Sequence, residues 1–224
     1  MRFFNTEGPV KSDKHYSLPP LQRWDLEDVL SLIEREKYFL LHAPRQTGKT
    51  TCLLALADHL NRGGRYRALY ANVEAAQAAR ERVEPGMAAV VQAIANSARW
   101  RLQDDGAEPL ARRILREQAP LVALEGFLTA WCERSPLPIV LMLDEADALV
   151  GDTLISLLRQ LRAGYPQRPQ RFPQTVILCG VRDLRDYRIH SSSEQAAITG
   201  GSAFNVKAKS LRLGDFSAAE VAAL

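Results

Sequence analysis

Cysteine is scarce in this chain and poorly placed for chemistry. Cys52, Cys132 and Cys179 each sit within an apolar segment, with no CxxC spacing and no histidine cluster nearby. That argues against a zinc site or a disulfide framework and for buried thiols in a reducing compartment. The four histidines, His15, His42, His59 and His190, are scattered, and none reads as catalytic. Long apolar runs are missing too. None approaches the roughly 18–20 residues that cross a bilayer, and the opening MRFFNTEGPVKSDKHY lacks the apolar stretch of a signal peptide. The expectation is a cytoplasmic protein with no membrane partner. No low-complexity linker or internal repeat divides the chain. The formal charge of +3 is too mild to imply nucleic-acid binding by itself. Basic residues do gather in 159–171 and 182–188, and these read first as solvated surface.

What is present is ordinary globular material. The 224 residues, 46% hydrophobic and 25% charged, suffice for one α/β domain with a sizeable core. Residues 1–24 read as an extended arm ending in Leu18-Pro19-Pro20-Leu21. Asp25 then has the character of a helix N-cap, with Leu26, Val29, Leu30 and Ile33 at helical spacing behind it. YFLLH at 38–42 is a short apolar run of the kind that forms a buried parallel strand. A helix follows over 48–61, stopped by Arg62-Gly63-Gly64, and a second strand over 66–73. Met87, Val90, Val91 and Ile94 mark one helical stripe. Leu121, Leu124, Leu128 and Trp131 mark another, with a turn at Asp104-Asp105-Gly106 between them. IVLML at 139–143 is the most apolar run, and Leu154, Leu157, Leu158 and Leu161 mark a further helix. Strands are expected again over 175–181 and 204–213. Trp24, Trp100 and Trp131 read as core or interface residues. The alternation predicts a three-layer α/β sandwich on a mostly parallel five-stranded sheet, with ligands beyond the carboxyl ends of the strands.

Two motifs fall at such ends. The first, APRQTGKT, comprises Ala43, Pro44, Arg45, Gln46, Thr47, Gly48, Lys49 and Thr50, and Thr51 follows it. It matches G-x-x-x-x-G-K-[ST] except that Ala43 replaces the first glycine. In such a loop the backbone N–H groups and the following helix N-terminus face phosphate oxygens. Gly48 permits the turn, Lys49 reaches the terminal phosphates and Thr50 ligates Mg²⁺. The small Ala43 fits if the backbone there is not in a glycine-only conformation. The second motif is LMLDE, in which Asp144 is placed to hold the Mg²⁺ shell and Glu145 to polarise an attacking water. The pair implies ATP with Mg²⁺, and no Asn-Lys-x-Asp motif for guanine is present.

Beyond these motifs the candidates are less defined. Arg182 ends the 175–181 strand, where it would sense the γ-phosphate or else simply form a surface ion pair. Arg185 and Arg188 are weaker candidates for the same role or for a finger acting in trans. Tyr16, Leu18, Pro19 and Arg23 are candidates to close over adenine, against the alternative of an arm packed on the sheet.

The segments HYSLPPLQRWDLEDVL, YFLLHAPRQTGKTTCLLAL, PIVLMLDEADAL, TVILCGVRDLRDYR and FNVKAKSLRLGDFS together resemble an AAA-like ATPase of the STAND-related group. The resemblance implies an AAA-like P-loop fold, ATP hydrolysis used as a switch, and a γ-phosphate sensor at Arg182. It also implies a protein partner or fused effector domain, with an oligomer possible. An ATP-binding domain over 25–214 would be followed by a helical lid whose start, 215–224, is all that is seen, as in a truncated chain. Two other functions compete: an ATP-binding regulatory module with negligible turnover, and a DEAD-box-like nucleic-acid helicase fragment. The latter is prompted by Asp144-Glu145-Ala146-Asp147 but lacks that family's Thr-Gly-Ser-Gly and Ser-Ala-Thr runs. Nucleic acid as a partner is therefore possible but unsupported.

Overall fold

The computed structural model of the chain describes residues 1–181, 188–190, 197–199 and 204–222. Four short strands, β1 (Tyr38–His42), β2 (Arg67–Asn72), β3 (Ile139–Asp144) and β4 (Thr175–Gly180), fall on the runs that the sequence marks as apolar. Two three-residue strands, β5 (Arg188–His190) and β6 (Ala197–Thr199), pair antiparallel with each other, and β7 (Lys207–Arg212) comes last. The main sheet has the order β2-β3-β4-β1-β7, and every pairing within it is parallel.

Although β3 and β4 are buried along their whole length, pleating still sorts their side chains between two cores. Phe39, Leu41, Val140, Met142, Ile177 and Cys179 face one way and pack with α1 (Leu26–Glu34) and α2 (Lys49–Arg62). Leu40, Leu141, Leu143, Val176 and Leu178 face the other way, into α3 (Val83–Leu102), α5 (Pro120–Arg134) and α6 (Gly151–Gly164). Between α3 and α5, α4 (Ala107–Glu117) packs on both. Helices thus cover both faces, giving the three layers that the alternation predicts.

Several local readings hold, and others shift. Asp25 caps α1, its carboxylate accepting the Asp28 N–H at 3.0 Å. Leu124, Leu128 and Trp131 are buried in α5, but Leu121 is 66% exposed because the helix begins at Pro120 and its first turn overhangs the core. Trp131 is core, whereas Trp100 is 77% exposed at the end of α3. The arm is not simply extended. It doubles back so that the Phe3 N–H donates to Lys14 O and the Tyr16 N–H to Phe3 O, and Pro20–Arg23 forms a 3₁₀ turn. At the sheet's edge, β7 carries Lys207 and Lys209, and Lys209 reaches Asp28 of α1 at 2.7 Å. Lysines on an edge strand discourage pairing with another chain.

Strand order positions the site. The chain leaves β1 for the far edge of the sheet and reaches β1's other side only with β7. The loop after β1 therefore lies where the order reverses, the place at which open α/β sheets hold ligands.

Candidate functional site

The loop between β1 and α2 is built from two left-handed residues. Gln46 has φ 62° and Gly48 φ 90°, so the chain turns sharply back into the first turn of α2. A Cβ at position 48 would stand 3.1 Å from Arg23 Nη1, so glycine serves both the conformation and the close approach. Ala43 is buried, adopts no positive φ, and donates its N–H to Gly180 O at 3.3 Å. Here the backbone has no need of the missing glycine. Thr47 Oγ1 donates to Pro44 O at 2.8 Å across the loop.

Lys49 is 6% exposed, and its Nζ donates to Ala43 O and Pro44 O, each at 2.8 Å. Both partners are neutral carbonyls. A buried ammonium hydrogen-bonded to neutral carbonyls is costly, and the helix N-terminus behind it adds positive potential.

Facing it is an anionic cluster. Alternation along β3 puts Val140, Met142 and Asp144 on the α2 side. Asp144, 1% exposed, accepts from Thr50 Oγ1 at 2.6 Å and from Tyr70 Oη at 2.9 Å on Oδ2. Its Oδ1 accepts the Glu145 N–H at 3.0 Å. Burial and the Asp144 carboxylate hold the Tyr70 phenol well above its usual range, so it stays protonated and donates. Glu145 itself is left-handed at φ 57°. Burial, reinforced by Asp144, Asp147 and Glu74 and opposed by Lys49, holds its carboxyl above the usual range. Asp147 turns away from this centre to accept the Val181 N–H at 2.7 Å, tying β3's exit to β4's. Burial also pushes the thiols up, Cys52 to about 11 and Cys132 and Cys179 further, which leaves them poor nucleophiles.

Two cavities meet at this loop. One of about 490 Å³ is lined by Arg45, Gln46, Gly48, Lys49, Thr50, Glu74 and Glu145, and also by residues 5–10 of the arm. The other, of about 200 Å³ beside Gly48 and Thr51, is walled by Phe4, Tyr16, Leu18, Arg23 and Phe216. Pro19 lines a separate groove, and Pro20 takes its place at this wall. Thr51 Oγ1 accepts the Val10 N–H at 3.2 Å, pinning the arm to α2. Arg23 donates to Thr47 O and, at 2.6 Å, to Gly214 O, while its guanidinium lies 3.8 Å from the centre of the Phe216 ring.

The structure thus brings Lys49, Thr50, Asp144 and Glu145 to one place. Arg182 and Arg185 lie outside the described residues, and of Arg188 only the backbone, in β5, is described. Sequence reasoning missed Tyr70, Phe4 and residues 5–10. Tyr70 becomes visible only when β2 is known to lie beside β3, and the arm only once its doubling back is seen.

A loop of this form between a parallel strand and a helix, with a strand-end aspartate on the helix's threonine, defines a P-loop NTPase. Within that class, residues 33–187, more than half of the chain, match the AAA domain family. The chain belongs to that family. Among solved structures it is similar to Cdc6p from Pyrobaculum aerophilum, at 17% identity over 90% of this chain and 46% of that one, with a TM-score of 0.52. It is also similar to a chain of the Drosophila ORC structure bound to poly(dA/dT) DNA and Cdc6, at 10% identity over 85% and 28%, with a TM-score of 0.50. At these identities the likeness is one of fold. The chain spans about half the length of these solved chains or less. A search of curated proteins finds no match.

Proposed function

We propose that this domain binds ATP with Mg²⁺ and hydrolyses it at the β–γ bond. The observation that carries the reading is that Lys49, Thr50 and Glu145 line a single cavity, with the buried Asp144 held behind it on the Thr50 hydroxyl. In this reading the backbone of residues 43–48 and the α2 N-terminus cradle the phosphates. Lys49 exchanges its carbonyl partners for phosphate oxygens. Glu145, at the cavity wall, orients the attacking water and accepts its proton. The smaller cavity, with Phe4, Tyr16 and Leu18, offers the aromatic and apolar faces on which adenine stacks.

The donor set fits a magnesium ion. Mg²⁺ is commonly held by one or two carboxylates with phosphate oxygens and water, and one hydroxyl with one carboxylate, Thr50 and Asp144, meets that need. Bound there, the ion would neutralise charge on the β- and γ-phosphates. Cys₄- or His-rich chemistry is not called for, and among the described residues no group of three metal-ligating side chains exists.

Arg23 supports the use of nucleotide state as a switch. One side chain ties the loop carbonyl of Thr47 to Gly214, just before the short helix Ala218–Ala222. That helix opens with a reciprocal cap between Ser217 and Glu220. A change at the phosphate loop therefore has a direct physical route to the segment that follows β7. A protein partner, a fused effector and self-association belong to this reading, and size-exclusion chromatography with and without Mg-ATP tests the last of these.

The deciding test is to titrate a fluorescent ATP analogue into wild type, Lys49→Ala and Glu145→Gln, and to assay phosphate release in parallel. The expected result is binding by wild type and Glu145→Gln, binding weakened at least tenfold in Lys49→Ala, and phosphate release by wild type alone. Binding without release by wild type would favour a regulatory ATP-binding module. No binding by wild type would overturn the proposal.

A further inference from the structure

We infer that Tyr70 is a positioning residue for the metal-holding carboxylate, an inference that rests on the ATP–Mg²⁺ reading above. Asp144 sits at the end of β3, and its in-register neighbour on β2 is Asn72. Tyr70 lies two residues earlier on the same face of that strand and reaches forward along it to the carboxylate. Its hydroxyl and that of Thr50 both donate to Oδ2, at 2.9 and 2.6 Å, while the Glu145 N–H holds Oδ1 at 3.0 Å. A carboxylate gripped by three donors on two oxygens has its plane fixed.

The three donors have different duties. Thr50 would hold magnesium through an oxygen lone pair while its proton stays on Asp144 Oδ2, so that hydroxyl would serve the ion as well as the carboxylate. The Glu145 N–H is backbone and fixes only the oxygen nearer its own residue. Tyr70 donates to Oδ2 from a side chain that is not itself a candidate ligand. Metal sites depend on such outer partners to orient their ligands.

Tyr70 is also built to donate. Its ring is 7% exposed within the core beneath α2. The Arg101 guanidinium, from the last turn of α3, stands 4.9 Å from the ring centroid. A cation over the ring face draws on the π electrons and so favours the hydroxyl as donor rather than acceptor. The β2 edge of the sheet and the end of α3 thus contribute to a site otherwise made by β1, α2 and β3.

The test is the metal dependence of nucleotide binding by Tyr70→Phe, which keeps the ring and removes only the hydroxyl. Mant-AMPPNP, a fluorescent non-hydrolysable analogue, is titrated into wild type and variant in EDTA and across a Mg²⁺ series. Melting curves confirm that the variant is folded. Binding in EDTA is expected to stay within about twofold of wild type, while the Mg²⁺ midpoint rises by about tenfold, at the low end of what outer-partner mutations cost. An equal loss in EDTA and in Mg²⁺ would make Tyr70 a packing residue and overturn the inference, as would an unchanged midpoint. If wild type binds the analogue in neither condition, the ATP reading fails and this inference falls with it. If wild type binds and responds to Mg²⁺ but Tyr70→Phe behaves identically, only this inference fails.

Discussion

Ala43 occupies the one place where the loop motif departs from its pattern, and its backbone explains why the departure is tolerated. Glycine at that position is needed where φ is positive or where a Cβ would intrude. Ala43 is buried and adopts no positive φ. Restoring the glycine therefore offers no gain at the site and adds unfolded-state entropy. Ala43→Gly is expected to leave nucleotide affinity within about twofold while costing roughly 0.5–1 kcal/mol of stability, read by analogue titration and by urea unfolding of the same variant. A gain in affinity of tenfold would show that the alanine strains the loop. Gly48 is the opposite case, because its φ of 90° strains any side chain and a Cβ there would press on Arg23.

Among the elements, the one least legible in the sequence is the junction at Asp104. The turn at 104–106 was readable from its composition, but its purpose was not. Asp104 Oδ2 accepts from Trp131 Nε1 of α5 at 3.0 Å and from Arg67 Nη2 of β2 at 3.1 Å. One carboxylate thus joins the α3–α4 turn, α5 and the edge strand. Burial alone would push its carboxyl up, yet the Trp131 N–H, the Arg67 guanidinium and the Gly106 backbone outweigh that and hold it below the usual range. The sign follows. With the folded pKa depressed, the contribution is fully present above the unfolded value of about 3.9 and is lost as pH falls through the folded value. Asp104→Asn should destabilise the chain by about 1–3 kcal/mol near neutrality, and the difference from wild type should shrink below about pH 4. Urea melts at the two pH values check it. A deficit that stayed constant with pH would rule out the ionic origin.

For the whole molecule, the arm and the segment after β7 matter as much as the sheet. Arg23 holds the phosphate loop to Gly214 and stacks on Phe216, so one side chain keeps both ends of the described chain against the cavities. A ligand at 100 times its Kd adds about 2.7 kcal/mol to stability, which for a chain of this size raises the midpoint by roughly 5–10 °C. Mg-ATP is expected to give wild type a shift of that order. Arg23→Ala should retain less than half of it, because the walls around the loop are no longer tied together. Thermal melts with and without Mg-ATP measure both, and an undiminished shift in Arg23→Ala would confine Arg23 to a packing role.

Local features follow from the order of residues along the chain. Apolar runs of five or six residues bounded by turn formers fit buried strands, Gly48-Lys49-Thr50 after such a run fits a helix start with its N–H groups forward, and Asp25 before a helical stripe fits an N-cap. The acid pair at 144–145 was visible because strand-end acids stand out against an apolar run. Which residues meet emerges only in the folded chain, since contact between separate segments depends on strand order, which no local pattern encodes. That order sets β2 beside β3, and so Tyr70 against Asp144. The doubling back of the arm likewise brings Phe4 and Val10 to the loop, through hydrogen bonds between residues such as Val10 and Thr51 that lie 41 positions apart.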